Sequence, residues 1–208
     1  MTEQKHSSMR AAMVESQLRT SDVNDPRVIA AMAKVPREDY VPAHRRAMTY
    51  IDRAIPLDGG RAINPPLATG RLLTEAQVVP GDKVLLIGAA TGYCAALLAE
   101  MGAQVVAVEE EGGPESIGAV VTRGPLSAGA VDGAPYDLLV IDGAVEEVPA
   151  TLVQQLVDGG RVVTGLIERG VTRLCSGRVV GGVLGLSSIA DLEMVVLPGF
   201  ATPEQFVF

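Results

Sequence analysis

Two carboxylates and one glycine-rich turn are the parts of this chain best suited to chemistry. The apolar run Val84 to Ile87 ends in Gly88-Ala89-Ala90-Thr91-Gly92, and an amphipathic helix follows from Tyr93 to Met101. A strand, a glycine turn and a helix in this order form the nucleotide-binding corner of an open α/β sheet. Gly88 and Gly92 let the backbone approach a ligand, and the helix turns its N-terminus toward it. The turn departs from the usual pattern. Ala90 stands where a middle glycine is expected, and Leu86 where nucleoside-binding loops often carry a carboxylate. Glu109 ends the following strand and is placed to accept hydrogen bonds from ribose hydroxyls. The alternative is that Glu109-Glu110-Glu111 forms a solvated acidic turn. Asp142, directly after an apolar strand at 137–141, is assigned with Gly88, Ala90, Gly92 and Glu109 to the seat of an adenosine cofactor.

Such a seat needs a parallel sheet beneath it. Strands are expected at 83–87, 104–108, 119–122, 137–141 and 161–166, with helices at 93–101 and 150–157 between them. This alternation implies an α/β fold with a doubly wound, mostly parallel sheet. Glycine-linked segments at 172–175, 178–184, 193–197 and 206–208 read as short strands at its antiparallel edge. Upstream, helices are expected at 9–19 and 67–78. A further one at 27–34 is capped by Asp25 with Pro26 in its first turn and is ended by Pro36. The chain reads as a single domain over 1–208, with a helical and loop segment at 1–79 and a Rossmann-like body at 80–208.

Composition narrows the function. Apolar residues make up 48% of the 208 and charged residues 20%, as in globular proteins. The net charge is −8, and it is uneven. Residues 1–57 carry nine Lys/Arg against seven Asp/Glu, whereas the rest carry eight against eighteen. An acidic body argues against nucleic acid as a partner. Arg37, Arg45, Arg46 and Arg53 read as a solvated helix face, with a local anion site as the alternative. Cys94 and Cys175 lack metal spacing and read as free thiols in a reducing cytoplasm; no metal site is expected. Neither a secretory leader nor an apolar run of about 20 residues is visible, so no membrane association is expected.

The residues also carry a resemblance. Met13-Val14 with Gln17-Leu18, then Asp25 to Val28 with Ala31-Met32, then Val35-Pro36-Arg37-Glu38 and Tyr40-Val41-Pro42 follow one ordered pattern. Val84 to Ala96, Ala134-Pro135-Tyr136-Asp137 and Gln155-Leu156 with Gly159-Gly160-Arg161 continue it. Over residues 9–166 the chain resembles the protein-L-isoaspartate O-methyltransferases. The resemblance implies S-adenosylmethionine as cofactor and isoaspartyl-containing peptides or proteins as partners. It also implies methylation of the isoaspartyl carboxylate as the first step of repair. The family's catalytic segment falls on Ile63-Asn64-Pro65-Pro66, so Asn64 stands where a serine orients that carboxylate.

Asn64, Leu86, Ala90 and Pro125 depart from the family pattern, Pro125 where an aspartate lies near the adenine. The stretch from 112 to 119 is too short for the helix that walls the family's pocket. It is expected to be a loop that leaves the sheet face beside the strand at 104–108 partly uncovered, to be closed by the tail Val195 to Phe208 or by a second subunit in a homo-oligomer. A second reading follows: a non-catalytic descendant that kept the fold as a binding or interaction protein.

Overall fold

The computed structural model describes residues 3–110 and 119–201, and elements are numbered in chain order along them. Helix α1 (Glu3–Met13) continues through a wider turn, Val14–Leu18, into a tight one, Arg19–Ser21, so it starts earlier than its amphipathic stretch suggests. Helix α2 (Pro26–Lys34) begins where its cap predicts: the Asp25 side chain accepts from Arg27 N, and Pro26 opens the helix. Val28, Ile29, Ala31 and Met32 form its buried face. Two short 3₁₀ segments, Arg37–Tyr40 and Ala43–Met48, lie either side of Pro42. A small hairpin pairs β1 (Ile55–Pro56) with β2 (Ala62–Ile63), and helix α3 (Pro66–Ala76) follows.

The sheet comes next: β3 (Lys83–Ile87), helix α4 (Tyr93–Glu100), β4 (Gln104–Glu109), β5 (Val120–Arg123) and β6 (Tyr136–Val145). One helical turn, α5 (Ala150–Val153), leads to β7 (Leu156–Glu168), and β8 (Val171–Val180) and β9 (Val183–Asp191) complete it. The seven strands lie in the order β5-β4-β3-β6-β7-β8-β9. The five from β5 to β7 are parallel, and β8 and β9 are added antiparallel. Strand order reverses between β3 and β6, so a ligand crevice is expected at the carboxyl ends of those two strands.

Strands β3 and β6 are buried on both faces, as their unbroken apolar runs require. One face packs against α1 to α4 through Leu18, Met32, Leu72, Leu86 and Leu97. The other packs against α5 and the turns before β6, through Leu85, Leu139, Ile141 and Leu152.

Several expectations are corrected at the C-terminal end. The helix expected at 150–157 stops at Val153, because Leu156 already pairs with Tyr136 in the sheet. Segments 172–175 and 178–184 are not separate strands. Gly177 lies inside β8, where a Cβ would come 1.8 Å from Gly185 O, so the glycine permits close strand approach instead of ending the strand. The turn is Gly181-Gly182, at φ 58° and 79°. Segment 193–197 makes only a single bridge, Ala144 to Val196. The segments 112–118 and 206–208 lie outside the described residues.

Candidate functional site

The crevice is built from the ends of β3, β4 and β6 and from the loop after β2. At the end of β3 the chain turns through Gly88 (φ 78°), Ala90 (φ 50°) and Gly92 (φ 95°), the cap of α4. Ala90 holds a left-handed conformation that a Cβ disfavours by about 1 kcal/mol. The conformation aims its N–H at Glu109, whose Oε2 accepts at 2.6 Å. Gly88 is required for another reason. A Cβ there would lie 2.7 Å from Leu197 Cδ1, so the segment after β9 packs directly on it.

Glu109 is 4% exposed, which excludes the solvated acidic turn. Its carboxylate forms a two-pronged ion pair with Arg61, Nη1 to Oε1 and Nη2 to Oε2, the latter at 3.1 Å. Glu110 N adds a bond to Oε1 at 3.1 Å.

Asn64 is buried beside the end of β6. Its Nδ2 donates to Asp142 Oδ1 at 2.8 Å and to Asp142 O at 2.9 Å. Its Oδ1 accepts from Val195 N at 2.8 Å. Asp142 is 8% exposed. Burial pushes its carboxyl up to about 6, against the pull of the Asn64 amide, Arg37 and Arg61, while Glu109 adds to the rise.

Arg37 was expected on a solvated face and is instead fully buried, 0% exposed. It donates from Nε to Thr49 O at 3.0 Å and from Nη2 to Asn64 O at 2.6 Å. Its guanidinium lies 4.8 Å from the centre of the Tyr93 ring. Burial lowers its pKa, opposed by Tyr93 and Asp142. Charge alone gave no sign of this burial; its place in the ordered Val35-Pro36-Arg37-Glu38 motif was the available signal.

The candidate residues therefore converge: Gly88, Ala90, Gly92 and Glu109 on one side, Asn64 and Asp142 on the other. Arg61, absent from the sequence reading, lies between them, paired with Glu109 and felt electrostatically by Asp142. Cys94 is free and buried, and interacts with Asp142. Burial, then the Asp142 charge, pushes its thiol well up, so it is protonated and no nucleophile. Leu86 is fully buried in the helix-side core, and Pro125 is exposed at the start of a 3₁₀ turn. Tail segment 195–197 crosses the ends of β3 and β6, not the face beside β4 where cover was expected. Phe200 packs with the core on the α5 side. Among the described residues no cluster of His, Cys, Asp and Glu could hold a metal.

The sequence matches the family described as protein-L-isoaspartate(D-aspartate) O-methyltransferase over residues 8–174. The chain belongs to this family. A protein-L-isoaspartate O-methyltransferase of Koribacter versatilis is 35% identical over 201 residues, covering 91% of this chain and 90% of the relative. One from Aeropyrum pernix is 39% identical over 169 residues, covering 74% and 65%. Among solved structures, a protein-L-isoaspartate O-methyltransferase aligns with a TM-score of 0.78 at 22% identity, over 91% of this chain and 66% of that one. A Plasmodium falciparum structure of the same family name, in complex with S-adenosyl-L-homocysteine, aligns with a TM-score of 0.70 at 18% identity, over 92% and 97%. These structures share the fold: a mostly parallel, Rossmann-like sheet flanked by helices.

Proposed function

We propose that this chain transfers a methyl group from S-adenosylmethionine to the carboxylate of isoaspartyl residues in damaged proteins. The observation that carries the reading is the position of Asn64. Its amide reaches the end of β6 beside Asp142, at the strand-order reversal of a chain in this family. The residues present fit the cofactor. Thr91 Oγ1 and Arg61 Nε are buried without hydrogen-bond partners at the crevice, and Glu109 is an acceptor suited to ribose hydroxyls.

When bound, the cofactor supplies an electrophilic sulfonium methyl. The acceptor carboxylate would already be a nucleophile toward that methyl. No strong base is needed, so the chain acts by positioning and by excluding water. In this reading Asn64, supported by Arg37, orients the acceptor side by holding Asp142 and Val195 in place. Gly88, Ala90, Gly92, Glu109 and Asp142 would hold the cofactor. The reading places the enzyme in the cytoplasm, supported by its two unpaired cysteines.

The test is transfer of labelled methyl groups from S-adenosylmethionine to an isoaspartyl peptide, beside calorimetric titration with S-adenosylhomocysteine. The expected result is a base-labile label on the isoaspartyl peptide, none on its aspartyl twin, and saturable binding. Absence of both labelling and binding at millimolar ligand would overturn the proposal.

A further inference from the structure

The Glu109 carboxylate is full. Its two oxygens accept from Arg61 Nη1, Arg61 Nη2, Ala90 N and Glu110 N, and a carboxylate offers about four lone-pair sites. Ribose hydroxyls need some of those sites. Ala90 N and Glu110 N belong to the main chain and cannot leave without rebuilding the loops. The Arg61 guanidinium is the donor that can rotate away. It sits on the β1–β2 hairpin, whose tip, Gly59-Gly60, has φ of 75° and 80° and open space around it. The hairpin base is anchored separately by Val41, Ile55 and Ile63.

On the acceptor side the Asn64 side chain has no free group. Both contacts of Asn64 Nδ2 go to Asp142, and its Oδ1 is taken by Val195 N. A second carboxylate arriving there needs a cation. Arg37 is pinned through Nε and Nη2 by two carbonyls; its buried Nη1 has no partner, but the guanidinium cannot swing toward a ligand. Arg61 precedes Asn64 by three residues on the same extended segment, is already close enough to act on Asp142, and has a buried Nε with no partner.

We propose that Arg61 is an exchangeable clamp. With the cofactor seat empty it closes on Glu109; ribose hydroxyls displace it; the freed guanidinium then binds the acceptor carboxylate. Cofactor therefore binds before acceptor, and Arg61 selects acceptors that carry a carboxylate. This rests on the methyltransferase reading above and adds to it the order of binding and a specificity residue.

The experiment compares wild type with Arg61→Gln, which stays neutral and hydrogen-bonding beside Glu109, and with Arg61→Lys, which keeps the charge but not the fork. S-adenosylhomocysteine affinity is measured by calorimetry, and KM and kcat with an isoaspartyl peptide. Circular dichroism melts confirm that each variant folds. Arg61→Gln is expected to bind S-adenosylhomocysteine roughly tenfold tighter, because the seat no longer has to open. Its peptide KM should rise about tenfold or more, with kcat much less changed, and Arg61→Lys should fall between. Wild type should bind the peptide only with S-adenosylhomocysteine present. Unchanged or weaker ligand binding by Arg61→Gln, or an unchanged peptide KM, overturns the clamp while leaving the methyltransferase reading intact. No S-adenosylhomocysteine binding to any of the three proteins overturns both.

Discussion

Two arginines reach the same crevice from neighbouring segments, and they are held in opposite ways. Arg37 is fully buried, bound to the carbonyls of Thr49 and Asn64, and stacked on Tyr93. Nothing a ligand brings competes for those contacts, so Arg37 is part of the frame. Arg61 is partly exposed, lies next to a glycine turn, and binds a carboxylate that the proposed cofactor also needs. The same side chain serves as structure when its acceptors are main-chain carbonyls and as a movable part when its acceptor is contested. The distinction turns on partners rather than on charge or burial alone.

The sharpest way to break the comparison is Arg37→Ala. It leaves two buried carbonyls unpaired and removes one of the two cations that act on Asp142. A loss of about 3–5 kcal/mol in urea unfolding is expected, with methyl transfer falling as Asn64 loosens. A loss under about 1 kcal/mol, the size of an ordinary hydrogen bond, would remove Arg37 from the frame.

Asp142 reports on the fields of both arginines through pH. Its folded carboxyl titrates at about 6, above the ordinary value of 3.8. Between those values the folded state keeps a proton that the unfolded state has lost. Stability contributed by this group is therefore present below pH 4 and is lost as pH rises through about 6. The loss is about 3 kcal/mol in all. Asp142→Asn should remove that slope, so its stability relative to wild type should climb between pH 4 and 7 in denaturant titrations. Parallel curves for the two proteins would show that Arg37 and Arg61 offset the burial of Asp142 completely.

Glu109→Ala tests the contested side. Loss of a charge-assisted hydrogen bond, about 1.5–3 kcal/mol, should weaken S-adenosylhomocysteine roughly ten- to a hundredfold. Equal affinity would take Glu109 out of the seat. The smallest effect is expected from Asn64→Ser. It shortens a side chain that makes three hydrogen bonds. A cost of about 1–2 kcal/mol is expected, with methyl transfer retained or raised. Abolished transfer in a folded protein would mean that the amide itself is needed.

Much of the body was legible because its signals are local. The apolar run at β3 predicts a strand with the bounds observed, and Asp25-Pro26 marks the start of α2. Glu109 and Asp142 could be placed because strand ends locate the crevice in such sheets, and Asn64 because the family's catalytic segment falls on it. What stayed hidden depends on distance along the chain or on ambiguous residues. The Arg61–Glu109 pair joins residues 48 apart, and no spacing rule reaches that far. Arg37 looked exposed because arginines usually are. Gly177 looked like a strand break, because a glycine that ends a strand and one that lets two strands approach read alike.

The bond from Val195 N to Asn64 Oδ1 spans 131 residues, and the main chain of Val195 also pairs with Ala144. The residue proposed to orient the acceptor is thus pinned by one of the last described stretches of the chain. During synthesis, Asn64 leaves the ribosome long before its anchor does. A growing chain can lay down its helices and parallel strands, yet it has no finished crevice until Val195 has emerged. Any truncation or stalled product ending before that point carries the sheet without the completed site.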